Sequence, residues 1–230
     1  MTLRSGETII QPNGSITREY STKDFADTNG SNIIAIDTSL KNLPVYSKDD
    51  VTILIPTLNE QEAIGKVIRE IIECGFKNIL VVDGYSSDRT VDIAKNLGVQ
   101  VVYQVGRGKA MAIKTGLGLV KTPWVLIMDG DGTYDAKDIE KLLMMAVRHG
   151  CNEVIGCRVD KQNMPYVNRL GNRLISVFLS LVMGHKVKDP CSGMYLLKTD
   201  SVRELKIVSE GFEVEVEIVC QMLARGTVKS

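Results

Sequence analysis

The 230-residue chain has no surplus of either charge: 28 Lys and Arg balance 28 Asp and Glu. That argues against a general nucleic-acid binder, whose affinity rests on a basic excess. Its five cysteines, Cys74, Cys151, Cys157, Cys191 and Cys220, are odd in number and show no CxxC or Cys/His spacing. A disulfide framework and a zinc site are therefore not expected, and a reducing cytosolic setting fits. Histidine is nearly absent, and His149 and His185 are isolated, so each reads as a surface or capping residue. No apolar run reaches the ~18 to 20 residues needed to span a bilayer. The longest, Leu174 to Met183, contains Ser176 and Ser180 and reads as a core or interfacial helix. The N-terminus lacks the apolar stretch of a signal peptide. The sequons Asn13-Gly14-Ser15 and Asn29-Gly30-Ser31 thus have no export signal beside them. Gly106-Arg107-Gly108-Lys109-Ala110 has neither the spacing nor the Ser or Thr of a phosphate loop, although Lys109 remains a candidate for a diphosphate.

What the chain does have is 44% hydrophobic residues, enough for a sizeable core. Residues 1–48 are rich in Ser, Thr, Asn, Asp and Gly and read as an N-terminal extension, loosely ordered or packed late. From Val51 the pattern changes. Val51 to Ile55 reads as a buried strand, and Ile64, Val67, Ile68, Ile71 and Ile72 lie at helical spacing before Gly75. Asn59 with Glu62 fits an N-cap box for that helix. The unit repeats: strand 79–82, helix 90–97, strand 99–102, helix 110–120, strand 124–128 and a helix from about Asp135 to His149. Strands separated by helices predict an α/β fold with a largely parallel sheet and helices on both faces. One domain over 49–230 follows, its second half less regular.

Polar residues gather at the strand ends. Strand one runs into Pro56-Thr57-Leu58-Asn59-Glu60, strand two into Asp83-Gly84-Tyr85-Ser86-Ser87-Asp88-Arg89-Thr90, and the fourth strand into Asp129-Gly130-Asp131. All three tips fall at the C-terminal edge of the sheet, where open α/β folds bind ligands. Capping explains Asn59 or Ser87 as well as function does. Asp83 and Asp129 together are harder to explain that way. Two carboxylates one residue apart suit a hard divalent cation on a diphosphate, as at a nucleotide-sugar site.

These three motifs, in order and spacing, resemble the inverting family 2 glycosyltransferases with the GT-A fold. Asp189-Pro190-Cys191-Ser192-Gly193 and Gly211-Phe212-Glu213-Val214-Glu215-Val216-Glu217 narrow the likeness to the dolichyl-phosphate mannose or glucose synthase branch. The resemblance covers about Asp50 to the C-terminus. It implies a Rossmann-like GT-A domain that moves mannose or glucose from GDP-mannose or UDP-glucose to a polyprenyl (dolichyl) phosphate, with inversion. By the same likeness, Pro56, Thr57, Glu60 and Asp83 hold the nucleotide, with Gly130 and Lys109 on the donor side. Asp129 and Asp131 bind Mg²⁺ or Mn²⁺, and Asp131 and Arg158 carry catalysis. An ionised lipid phosphate needs no strong general base, so the enzyme mainly has to hold two anions together.

That requirement gives meaning to a local imbalance, nine Lys and Arg against four Asp and Glu from Arg158 to Lys206. Arg158 falls where the family has an arginine after the fifth strand, and Arg169 and Arg173 follow at helical spacing. With Asp189 and Ser192 they form the expected acceptor side, since arginine forks suit phosphate oxygens. The basic surplus and the apolar helix together predict a peripheral enzyme on the cytoplasmic face of a membrane. The chain departs from the family in two places: Gly84-Tyr85 replaces a second aspartate after Asp83, and Met194-Tyr195 replaces Phe followed by Arg or Lys. In the family the chain continues past the helix before Lys229 and Ser230 into a further strand or membrane helices. Competing readings are a glycosyltransferase with a soluble or saccharide acceptor, a sugar nucleotidyltransferase and a non-catalytic sugar-binding module. A nucleotidyltransferase would open with a glycine-rich basic loop after strand one, which 56–60 is not.

Overall fold

A computed structural model describes residues 7–10, 16–19, 47–158, 166–184, 187–211, 213–224 and 228–229. Both sequons, His185, Phe212 and most of the 1–48 extension lie outside the described residues. The chain divides into two units, Met1–Tyr46 and Ser47–Ser230. In the first, strand β1 (Glu7–Ile10) pairs antiparallel with β2 (Ile16–Glu19).

The second unit alternates as the sequence predicts. It runs β3 (Val51–Thr57), α1 (Ile64–Glu73), β4 (Ile79–Asp83), α2 (Thr90–Asn96), β5 (Gln100–Tyr103), α3 (Lys109–Leu117) and β6 (Trp124–Met128). Then follow α4 (Asp138–His149), β7 (Glu153–Ile155), α5 (Tyr166–Met183), β8 (Met194–Lys198), α6 (Thr199–Arg203), α7 (Val214–Ala224) and β9 (Val228–Lys229). All seven residues of β3 are buried, which is why the strand reads as an unbroken apolar run. The sheet order is β5-β4-β3-β6-β8-β7-β9, and among the described strands β8 alone runs against the rest. Leu54, Leu80, Val82, Val125, Ile127, Tyr195 and Leu197 share one face with Ile113 of α3 and Ile218 of α7. On the other face Ile55 meets Ile64 of α1 around Gly130.

Two topological facts position the site. The chain steps from β3 outward to β4 and β5, then returns with β6 on the other side of β3. The crevice therefore opens where β3 and β6 end. Because β8 is antiparallel and Met194 pairs with Met128, the residues before β8 arrive at that same edge.

One local expectation is corrected. Asn59 and Glu62 do not cap α1, which starts at Ile64 with Ala63 at the cap position and no side-chain bond. Asn59 instead has φ 57° and its Oδ1 accepts from the Ser87 amide at 2.8 Å. Asparagine tolerates that left-handed turn, and the neighbouring loop takes the acceptor a cap would need.

Candidate active site

The motifs expected on the donor side interlock at the ends of β3 and β4. Thr57 pairs in register with Asp83, and the Gly84 amide donates to the Thr57 carbonyl at 2.8 Å. Asp83 is fully buried, and its two oxygens accept from the Ser86 amide at 2.8 Å and the Ser86 hydroxyl at 2.6 Å. Ser86 Oγ in turn accepts from the Asn59 amide, and Thr90 Oγ1 from the Glu60 amide, each at 2.8 Å. These bonds shape the edge of the crevice. Pro56 and Thr57 are buried in the strand, and Thr57 Oγ1 has no hydrogen-bond partner. Gly130 packs against Thr57 so closely that an added Cβ would lie 2.9 Å from Thr57 Cγ2.

Beyond β6 the carboxylates converge. Burial first, then the charges of Asp131 and Asp129, push the Glu60 carboxyl above its ordinary value. Asp131 is exposed and accepts from the Thr133 amide at 2.8 Å. Asp129 lies deeper, and Lys109, the first residue of α3, sits 2.6 Å from Asp129 Oδ1 and 2.6 Å from Glu215 Oε1 of α7. Burial works against the Lys109 charge, but the two carboxylates outweigh it and hold its pKa above the usual lysine value. One ammonium cannot compensate two buried carboxylates, so Asp129 and Glu215 are both pushed up by burial despite it.

The residues expected on the acceptor side assemble around Asp189. The Arg158 Nε and Nη2 donate to the two Asp189 oxygens at 2.9 and 2.6 Å, and Nη2 also donates to the Cys191 carbonyl at 2.8 Å. Asn172 of α5 donates to Asp189 as well. The Asp189 carboxylate is fully buried and committed to these partners, which hold its pKa down although burial opposes them. Ser192 is buried too, and its hydroxyl donates to the Gly156 carbonyl. The amide of its neighbour Gly193 donates to the Tyr134 hydroxyl oxygen at 2.6 Å. Arg158, Arg169, Arg173 and Lys188 line a cavity of about 440 Å³ with Cys157, Asn172, Ser176 and Asp189. Beside it α5 turns Ile175 and Leu179 inward to α7 and leaves Leu174, Val177, Phe178, Leu181 and Val182 exposed.

The donor set fits a hard divalent cation. Asp129 and Asp131 offer carboxylate oxygens, Glu60 is close enough for their charges to raise it, and buried polar atoms without partners flank the crevice at Thr57 Oγ1 and Glu215 Oε2. Among the described residues no group of three or more His, Cys, Asp and Glu is arranged to hold a metal unaided. A cation here would complete its shell from diphosphate and water, the usual habit of Mg²⁺. Sequence reading did not assign Glu215, Tyr134 or Asn172 a role. Glu215 stands inside the 211–217 motif, and its alternation with Glu213 and Glu217 is the signal the sequence offers.

The fold is that of the GT-A glycosyltransferases. Glucosyl-3-phosphoglycerate synthase from Mycobacterium tuberculosis, solved with UDP, superposes at TM-score 0.65 and 22% identity over 76% of this chain and 66% of that one. Its complex with Mn²⁺, UDP-glucose and phosphoglyceric acid gives 0.64 at 22% identity over 76% and 65%. The sequence profile of Glycosyl transferase family 2 matches residues 52–206, and the chain belongs to that family. Glycosyltransferase AglJ of Haloferax volcanii is 37% identical over 77% of this chain and 60% of its own length, so the chain corresponds to only part of it. A dolichyl-phosphate hexose transferase of the same organism is 31% identical over 79% of this chain and 80% of its own.

Proposed function

We propose that the chain transfers a hexose, mannose or glucose, from a nucleotide sugar to a polyprenyl phosphate with inversion, using Mg²⁺ or Mn²⁺. The observation that carries the reading is the basic cavity set directly beside an exposed apolar helix face. Arg158, Arg169, Arg173 and Lys188 offer a site for a phosphate, while Leu174, Val177, Phe178, Leu181 and Val182 offer a surface for its hydrocarbon. Arg158 is near enough to Asp129 for its charge to stabilise that carboxylate, so phosphate and donor would meet at one edge of the sheet. Among the described residues no helix is long and apolar enough to cross a membrane. The exposed apolar face of α5 beside the basic cavity supports peripheral docking, which we place on the cytoplasmic face. The relative that acts on dolichyl phosphate and the structural neighbour that binds Mn²⁺ with UDP-glucose support the same chemistry.

In this mechanism Asp129 and Asp131 would hold the cation, which when bound would supply charge neutralisation for the leaving diphosphate. Thr57, Glu60 and the loop shaped by Asp83 border the nucleotide. Arg158, kept in one orientation by Asp189, brings the acceptor phosphate up to the anomeric carbon, and its ionised oxygen attacks without a general base. The test is to incubate the protein with Mg²⁺ or Mn²⁺, polyprenyl phosphate and labelled GDP-mannose or UDP-glucose. Label entering the organic phase is expected. Transfer only to a water-soluble phosphate or saccharide would refute the lipid acceptor.

A further inference from the structure

Lys109 and Glu215 are joined by a contact that the transfer mechanism does not explain. The ammonium lies 2.6 Å from each of two carboxylates, and those carboxylates differ in access. The Asp129 side chain is 25% exposed and Glu215 only 5%, so a cation arriving from solvent reaches Asp129 first. Asp129 Oδ1, an oxygen a divalent ion would use, is already taken by Lys109. Glu215 Oε2 is buried with no hydrogen-bond partner, so the carboxylate that holds Lys109 through Oε1 has spare accepting capacity. The lysine cannot easily leave. Gly108 has φ 90°, and an added Cβ there would lie 2.2 Å from the Glu210 carbonyl, so the start of α3 is seated against the segment leading into α7.

We infer that Lys109 is an exchangeable counter-ion, holding the Asp129 carboxylate while no metal is bound and falling back on Glu215 when a divalent cation takes Asp129. Glu215 is then a positioning residue that acts through Lys109. A buried ammonium loses charge compensation when one of its carboxylates is taken by a metal, and the second carboxylate, Glu215, lowers that cost of metal entry. The inference rests on the reading of Asp129 and Asp131 as the metal pair.

The experiment measures Mn²⁺ affinity without donor, by calorimetry or by the loss of free Mn²⁺ paramagnetic signal. Lys109→Met should bind Mn²⁺ at least ~10-fold more tightly than the unaltered protein, because a cation competing at contact distance is gone. Glu215→Gln should bind it several-fold more weakly, since Lys109 then lacks the second carboxylate. The double variant Lys109→Met, Glu215→Gln buries one charge fewer than the single lysine variant, so it serves if Lys109→Met does not fold, and it too should exceed the unaltered protein. Mn²⁺ affinity equal to or below that of the unaltered protein in these folded lysine variants would overturn the exchange. Adding Asp131→Asn to the lysine variant should abolish the gain. Tight Mn²⁺ binding that survives Asp131→Asn would instead overturn the assignment of the metal pair.

Discussion

Gly193→Ala is the substitution whose effect the geometry fixes most tightly. Gly193 precedes β8, its carbonyl accepts from the Asp129 amide at 3.1 Å, and its backbone does not have a positive φ. A methyl group there is therefore not strained by the backbone itself. It is blocked by Asp129: the new Cβ would lie 1.9 Å from Oδ2 and 2.4 Å from Cγ. Relief must come from the Asp129 side chain, which is short and whose other oxygen is held at 2.6 Å by Lys109. Either the ion pair breaks or β8 shifts away from β6. Overpacking of this kind costs ~1–3 kcal/mol of stability. Because the displaced group is the candidate metal ligand, turnover should fall ~10²-fold or more, with weaker dependence on Mn²⁺. Gly171→Ala in α5 is the control, since nothing lies within 4 Å of its Cβ position and alanine favours a helix by ~1 kcal/mol. Thermal melts and hexose-transfer rates of both variants decide the matter. A folded Gly193→Ala protein with normal rate and normal Mn²⁺ dependence would refute the reasoning, because Asp129 would then be free to move without consequence.

Asp131→Asn should leave the melting temperature nearly unchanged, as the side chain is exposed, yet lower metal-dependent transfer by ~10³-fold; near-normal turnover would remove its metal role. Asp83→Ala should destabilise the protein by ~1–3 kcal/mol by unpairing the Ser86 amide and hydroxyl, with weaker donor binding as a result; an unchanged melt would contradict the buried role. Arg169→Ala with Arg173→Ala should raise the KM for polyprenyl phosphate far more than that for the nucleotide sugar, and equal effects on both would argue against the acceptor cavity. Glu153 is fully buried with neither oxygen hydrogen-bonded, and burial pushes its carboxyl up to about 8. Its folded value lies above the unfolded one, so stability is full below about pH 4.5 and falls as pH rises to about 8, by roughly 5 kcal/mol. Glu153→Gln should flatten that slope in denaturant titrations, and a slope equal to that of the unaltered protein would assign it to other groups.

The strands of the parallel half were legible because they are buried on both faces: 51–57, 79–83 and 124–128 contain hardly a polar residue until the tip. Their polar tips were legible for the same reason, since an aspartate ending such a run has nowhere to lie but the edge. Asp83 shows the limit of that logic. A carboxylate at a strand tip served equally for binding and for turn formation, and only the Ser86 contacts show how its oxygens are engaged. Glu215 was hidden by distance along the chain, because nothing local in α7 reveals that its partner is the first residue of α3. Helix α5 carried both signals, apolar and basic, but periodicity could not say that Leu174 and Phe178 face outward while Ile175 and Leu179 face α7.

The reversal of one strand explains why the Asp129–Asp131 tip and the basic cavity can meet here. In a purely parallel sheet, the segment leading into a strand lies at the N-terminal edge, far from the crevice. Because β8 runs the other way, Asp189 to Gly193 reach the edge where Asp129 stands, and the Asp129 amide bonds directly to the Gly193 carbonyl. β7 is parallel to β6, so Gly156 to Arg158 leave it at the same edge, and Arg158 closes on Asp189. The Asp129–Asp131 tip and the basic cavity are thus built from adjacent strand ends of opposite polarity. Hydrogen bonds of the sheet itself fix their separation. A change in β8 should consequently be felt on both sides at once, whereas changes confined to α5 should reach the cavity alone.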